Sequence, residues 1–445
     1  PPGFTITTDS CINYLKKNNM PERLISDVTA AISNIGKIMN YQFGDINSPL
    51  LLSIRSGARQ SMPGMMETVL NVGLTKKTIP GLIKIFKDER FVYDAYRRLI
   101  MMYADVVMEK AEGIVVKSKE LSIRQELELI LEQHKLKSNV EYDSDLNINQ
   151  LKKICTLFKT KIKSKLGKAF PEDPYEQLWG AIEAVFKSWN GKRAIHYRKI
   201  ENIPSHWGTA VNVQAMVFGN LGNNSGTGVA FTRNPSTGVN KLYGEWLVNA
   251  QGEDVVAGIR TPNPINNHSK NKESANIPSL EEKFPKVYSQ LIDIKNILEN
   301  HFRDMQDIEF TVENNILWML QTRRGKRNGR SALKISMDML NKKFISAIEA
   351  INRVSTSNLE EIMHPMIDPE QELNHSILAS GLPAGPGGAC GQIVLDADTA
   401  EILNNQGKPV ILIRNETSPE DIHGMHAAVG ILTAKGGMTS HAALV

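Results

Sequence analysis

Cysteine is scarce in this sequence, long apolar runs are missing, and the common phosphate-loop and hydrolase signatures do not occur. Cys11, Cys155 and Cys390 stand far apart and are odd in number. They make neither a disulfide framework nor a metal-ligand spacing, and a reducing, cytoplasmic compartment is expected. No run of about 18 apolar residues exists, which excludes a spanning helix. The opening Pro1-Pro2-Gly3-Phe4 has neither the basic nor the apolar part of a signal peptide. It also lacks an initiator methionine, so the native N-terminus is expected to lie upstream. There is no G-x-x-x-x-G-K-S/T, no G-x-G-x-x-G after a strand, no H-E-x-x-H and no G-x-S-x-G. Any nucleotide would need another architecture. Net charge is only +4, with a pI near 8.7. That balance requires neither nucleic acid nor membrane; it suits small anions, and a solvated basic surface accounts for it equally.

What is present is an ordinary globular composition, 41% hydrophobic and 22% charged over 445 residues. The length exceeds one core and predicts about two to four domains. Pro21 opens an amphipathic helix with Leu24, Val28, Ile32, Ile35 and Met39 at helical spacing. Residues 50–55 read as a short strand running into a Gly/Pro loop at 56–66. Residues 91–112 read as one long helix with Tyr96, Ile100, Tyr103 and Val107 inward and Met101, Met102 and Met108 as core filler. The Lys-, Glu- and Leu-rich stretch 113–170 reads as a helical insertion whose lysines fit a solvated face better than nucleic acid. Residues 211–218 alternate as a strand. With the glycine-rich segment 222–228 and strand 229–232 they predict a hairpin-like flap, followed by a strand at 244–248. Residues 307–312 and 316–323 predict a second hairpin about the turn 313–315. Residues 330–375 predict helices. Beyond 381, short strands at 392–395, 409–413 and 430–433 predict a small α/β domain that stops inside a helix, so truncation at both ends is expected.

Three constellations carry chemistry. Gly436-Gly437 allow a tight turn and close backbone approach by a phosphate, and Thr439 or Ser440 can cap a helix opening near His441. A histidine at that positive helix end is held neutral and nucleophilic, and an anion on its ring is stabilised. A capped helix with an incidental histidine accounts for the same string. Asp307 and Glu309 are two apart on a strand and share a face, as carboxylates holding magnesium against phosphates would. Arg323 on the partner strand can fork onto a phosphate; a cross-strand salt bridge is the plainer account. Finally, Arg55 and Arg59 with the glycines of 56–66, and Gly222, Gly226 and Gly228, can cover a polyphosphate, although a plain turn explains the second group.

Longer strings run in order through nearly the whole chain: 53–59 with 61–66, 94–98, 208–214, 225–238, 249–258, 301–307, 320–323, 417–422 and 436–443. Together they closely resemble the pyruvate, phosphate dikinase family. The resemblance implies an α+β and α/β multidomain chain. An ATP-grasp fold would have its first lobe at 1–110, a helical insertion and connection at 111–200 and its second lobe at 201–330. A helical linker at 331–380 and a truncated swivelling phosphohistidine domain at 381–445 would follow. A TIM barrel that binds pyruvate or phosphoenolpyruvate is expected beyond it and is missing here. The family interconverts ATP, phosphate and pyruvate with AMP, pyrophosphate and phosphoenolpyruvate. It implies Mg²⁺, a monovalent cation (NH4⁺ or K⁺) in the full enzyme, a homodimer, and no nucleic-acid or membrane partner.

By position in the matching motifs, His441 corresponds to the phosphorylated histidine. Arg55, Arg98, Gln321 and Arg323 correspond to nucleotide- and phosphate-site residues, and Glu309 with Asp307 to the metal-binding acid. Glu245, Glu253 and Asp254 lie in the motif near the nucleotide. Gly64, Thr227 and Gly228 fall in loops over the phosphates. Thr439 matches the threonine that plants phosphorylate to switch the enzyme off. Two departures stand out. The family's Gly-Gly-Lys segment would precede Pro1, and Lys435 replaces the usual arginine, keeping the charge but losing the fork. In the implied reaction His441 attacks the β-phosphate of ATP, and a hinge within 330–385 carries it onward. A pyruvate, water dikinase and a nucleotide-binding phosphocarrier without turnover remain as alternatives.

Overall fold

The computed structural model describes residues 1–445 except 58, 61, 63, 115, 117–119, 257–260, 271–273, 364–378, 380, 383, 386, 438, 439, 445 and the side chains of 253, 256 and 444. The chain divides into two compact units, Pro1–Met216 and Val217–Val445.

The first unit opens with β1 (Gly3–Ile6) and the helices α1 (Thr8–Lys17) and α2 (Glu22–Met39). Val28, Ile32 and Ile35 of α2 are buried at the expected spacing. A short parallel pair, β2 (Gln42–Phe43) and β3 (Pro49–Leu50), precedes β4 (Leu52–Gly57) and β5 (Thr68–Val72). The helices α3 (Ile79–Phe86), α4 (Glu89–Tyr103), α5 (Ile123–Ser138), α6 (Ile148–Leu166), α7 (Pro174–Ser188) and α8 (Lys192–Ile200) follow, and β6 (Ala210–Ala215) completes the unit. Its antiparallel sheet runs β1-β6-β4-β5. Leu52, Ile54, Val69, Val72, Val211 and Val213 are fully buried in it, packed against α7.

Two expectations change here. The stretch 91–112 is not one α-helix: α4 ends at Tyr103 and the chain continues as a π-helix, Ala104–Lys110. The i→i+5 pitch brings Lys110 Nζ to 2.9 Å from the buried Asp105 carboxylate. Tyr96, Ile100, Tyr103 and Met108 are buried, whereas Met101, Met102 and Val107 are only half-buried. Strand β6 does not fold back on 229–232 as a flap; it hydrogen-bonds β1 and β4. Alternation assigns faces to a strand but not partners, and here burial of Val211 and Val213 decides the partner.

The second unit holds β7 (Gly226–Phe231), β8 (Tyr243–Val248), the short α9 (Gly252–Val256), β9 (Asn263–Pro264), α10 (Leu280–Lys283), α11 (Pro285–Phe302), β10 (Gln306–Glu313) and β11 (Ile316–Arg324). The sheet order is β11-β10-β7-β8-β9. Ala230, Trp246, Ile308 and Phe310 on one face pack against Leu280, Val287 and Leu291. The β10–β11 hairpin turns at Asn314 and Asn315, both at positive φ, as a tight two-residue turn requires. Helices at Gly329–Asn341, Ala347–Asn352 and Thr356–Ile362 follow. A parallel sheet, β12 (Gln392–Val394), β13 (Val410–Arg414) and β14 (Gly430–Thr433), encloses Val394, Ala400, Val410, Leu412 and Met425. The whole is a mixed α+β chain with several sheets. Among the described residues no helix is long and apolar enough to cross a membrane.

Candidate active site

Strand register assembles most of the expected side chains of the second unit. Asp307 stands opposite Arg323 and Glu309 opposite Gln321. On its other edge Glu309 faces Val229 of β7, and Val229 faces Glu245 of β8. Directly opposed residues on antiparallel strands project to the same side. Gln321, Glu309, Val229 and Glu245 therefore form one row across the sheet, and Arg323, Asp307, Phe231 and Tyr243 the next. Strands about 4.8 Å apart set the backbones of Glu309 and Glu245 roughly 10 Å from each other. Val255 of α9 packs on Leu247, Ala250 and Val229, so α9 covers the same face. Asp254 Oδ2 accepts the Gln251 N–H at 2.8 Å, fixing the start of α9. Glu253 sits on α9 with its side chain outside the described part.

Asp307 is 4% exposed. Its Oδ2 accepts Arg323 Nε at 2.6 Å, while Oδ1 is buried with no hydrogen-bond partner among the described residues. Burial pushes this carboxyl above the ordinary aspartate range; Arg323 pulls it down and the Glu309 charge pushes it up again. Two adjacent carboxylates with one compensating arginine are donors suited to a hard divalent cation that also takes phosphate oxygens and water. Among the described residues no three His, Cys, Asp or Glu side chains gather as a cage, so such an ion would need ligand oxygens as well.

The loop expected at 222–228 is only partly a loop. Thr227 and Gly228 lie within β7. Thr227 Oγ1 donates to the Phe310 carbonyl at 3.2 Å, and a Cβ on Gly228 would meet the Phe310 ring at 2.4 Å. Both are therefore committed to the sheet rather than to a phosphate-covering loop.

Strand β14 leads toward the histidine. Lys435 N donates to the Asn415 carbonyl at 2.8 Å, and Gly436 has φ +115°, which a side chain would disfavour. Gly437 lies against Glu245: a Cβ there would meet Glu245 Oε1 at 2.2 Å. Ser440 N donates to the Gly437 carbonyl at 3.0 Å, and the short helix His441–Leu444 begins. His441 is 8% exposed. The turn before it thus rests on the sheet row that carries Glu245 and Glu309. Thr439 lies outside the described residues.

In the first unit, Arg55 on β4 is opposite Asn212 and Thr68. Gly64, at φ +69°, sits in a turn closed by Met65 N donating to the Met62 carbonyl at 3.1 Å; Met62 and Met65 are buried. Arg98 Nε donates to Asp94 Oδ2 at 3.3 Å. Arg97 donates through Nε and Nη2 to Asp94 Oδ1 at 2.9 and 2.8 Å. Burial raises Asp94, but Arg97 and Arg98 outweigh it and hold the carboxyl at about 2. Asp94 and Arg97 are absent from the expected site. An acid with arginines three and four residues on, stacked on one helix face, is the signal that finds them.

A nucleotide-binding domain ahead of a mobile domain is the class of phosphotransferase that the sequence comparisons define. The family "Pyruvate phosphate dikinase, AMP/ATP-binding domain" matches residues 15–290 and 265–344, and "PEP-utilising enzyme, mobile domain" matches residues 406–445. The chain belongs to the pyruvate, phosphate dikinase family. It is similar to the pyruvate, phosphate dikinases of Rhizobium meliloti (strain 1021), 53% identical over all of this chain and 48% of the relative, and Clostridium symbiosum, 48% identical over all of this chain and 48% of the relative. The chloroplastic enzyme of Flaveria trinervia is 47% identical over all of this chain and 44% of the relative. The chain spans about half the length of the curated relatives it matches.

Proposed function

We propose that this chain carries out the ATP- and phosphate-dependent half of the dikinase reaction, with an ATP-grasp region charging His441. The observation that carries the reading is the seat of Gly437 on Glu245, on the sheet face that also bears Glu309, Gln321, Asp307 and Arg323. Arg323 and Gln321, with Arg55 and Arg98 of the first unit, hold the polyphosphate; arginine forks suit phosphate oxygens. Glu245, Glu253 and Asp254 border the nucleotide, and the Gly64 turn covers its phosphates. Glu309 and Asp307 would hold Mg²⁺, which supplies neutralisation of the charge that develops on the transferring group. The neutral His441 ring donates an electron pair to the β-phosphorus of ATP as the bond to the AMP oxygen breaks. Inorganic phosphate then accepts the terminal phosphoryl group, leaving pyrophosphate and phosphohistidine. The covalent intermediate divides one difficult transfer into two, and fixed positive groups around it stabilise the transition state without rearranging.

Transfer to pyruvate, a homodimeric assembly, a monovalent cation and a cytoplasmic location belong, in this reading, to the whole protein. Thr439, two residues before His441, is its candidate regulatory position. The test is incubation with ATP labelled at the β or γ position, with and without phosphate. Label from the β position is expected on the wild-type chain and absent from His441→Asn; equal labelling of both overturns the assignment. AMP release that ignores phosphate would point to water as the acceptor. Labelling without turnover would point to a carrier.

A further inference from the structure

The π-helix Ala104–Lys110 belongs to a chain of charges that ends at the turn carrying Gly64. Glu67 follows that turn directly and precedes β5, whose Thr68 stands opposite Arg55. The Glu67 side chain is 17% exposed, and its Oε1 receives Arg193 Nη2 of α8 at 2.7 Å. Lys110 Nζ approaches the same oxygen at 3.7 Å while holding Asp105 at 2.9 Å, and Arg124 of α5 reaches Asp105 at 3.7 Å. The Glu67 backbone N–H donates to Ser188 Oγ of α7 at 3.5 Å, and that hydroxyl lies 4.0 Å from Met66 Sδ. Two carboxylates alternate with three cations drawn from α8, the π-helix and α5. An α-helical pitch would turn Lys110 away from Asp105; the wider pitch aligns residues five apart.

A carboxylate beside a phosphate turn repels the ligand, so Glu67 gains nothing from touching it. Its two cations hold it toward the helices instead, on the downstream side of Met62 and Met65. The upstream strand carries Arg55. Fixing residue 67 therefore fixes how far the Gly64 turn stands from the Arg55 guanidinium.

We propose that Glu67 is a positioning residue: through Arg193 and Lys110 it sets the Gly64 turn at the height that closes on the nucleotide phosphates, an inference that rests on the function proposed above. Its loss weakens the hold on ATP and leaves the chemistry at His441 largely alone.

The test compares Glu67→Gln and Glu67→Asp with Glu126→Gln, which removes an ion-paired carboxylate between Lys161 and Lys165 of α6. In single-turnover labelling, Glu67→Gln is expected to raise the ATP concentration for half-maximal rate about tenfold, with the saturated rate within about twofold. Glu67→Asp restores most of the loss, and Glu126→Gln changes neither value. Without nucleotide, trypsin is expected to cut after Arg59 several-fold faster in Glu67→Gln. If Glu67→Gln does not fold, Lys110→Met carries the same test, with about a threefold shift. An unchanged half-saturation and unchanged cleavage at Arg59 overturn the role of Glu67. Failure of the wild-type chain to label overturns the function instead, and the cleavage comparison still decides the anchoring.

Discussion

Asp94 in the first unit and Asp307 in the second are both buried aspartates bonded to arginine, yet their acidities move in opposite directions. Asp94 meets Arg97 through two bonds and Arg98 through a third, and those cations overcome burial. Asp307 has one arginine and a neighbouring carboxylate, and burial prevails. The difference separates structural from functional charge. A compensated carboxylate locks helix α4, whereas an under-compensated pair is poised for a cation and costs stability until one arrives.

The largest expected effect comes from Glu309→Gln. Removing that charge lowers histidine labelling on the order of 100–1000-fold while relieving Asp307, so urea stability without nucleotide stays level or rises. A parallel loss of both would assign Glu309 to the fold. Asp94→Asn is the converse. It strands Arg97 in the interior and is expected to cost about 3 kcal/mol in urea unfolding, with activity falling only as Arg98 loosens. Third, pH distinguishes the two acids. Asp94 lies below the ordinary aspartate value of about 4, so its ion pairs stabilise fully above that pH and are lost as pH falls through about 2. The gap between wild type and Asp94→Asn should narrow by about 2 kcal/mol over that window. Asp307 has the opposite sign: its folded value is raised, so its cost to the fold is relieved as pH drops, and Asp307→Asn should stabilise most at neutral pH. The smallest effect is Gly437→Ala. Its Cβ would strike Glu245 Oε1 and should slow labelling about tenfold at unchanged stability; a double variant with Glu245→Ala that labels no differently from Glu245→Ala alone would confirm that the clash acts through this contact.

The β10–β11 hairpin was readable because its signals are local. Alternation, a two-residue Asn turn and charges at matched positions specify the register, and the register alone sets Asp307 beside Arg323. The three short strands after residue 391 were readable for the same reason. The partner of β6 was not, because Val211 and Val213 would suit any apolar sheet face. Nor was the π-helix, whose pitch carries a pairing of Asp105 with Lys110 inside an otherwise unremarkable helical pattern. Thr227 and Gly228 looked like loop residues because glycine marks turns and close packing alike; only the Phe310 ring above Gly228 distinguishes the two.

By itself the amino-acid order determined the family, the histidine and the acids and arginines of the second unit, since these follow from short strings and a period of two. Tertiary structure decided which of them meet. It set the Gly437 turn on Glu245, anchored Glu67 to Arg193 and left Asp307 short of compensating charge. The reason is physical: residue identity and strand parity are properties of the local chain, whereas desolvation and the sum of neighbouring charges exist only once distant segments have packed together.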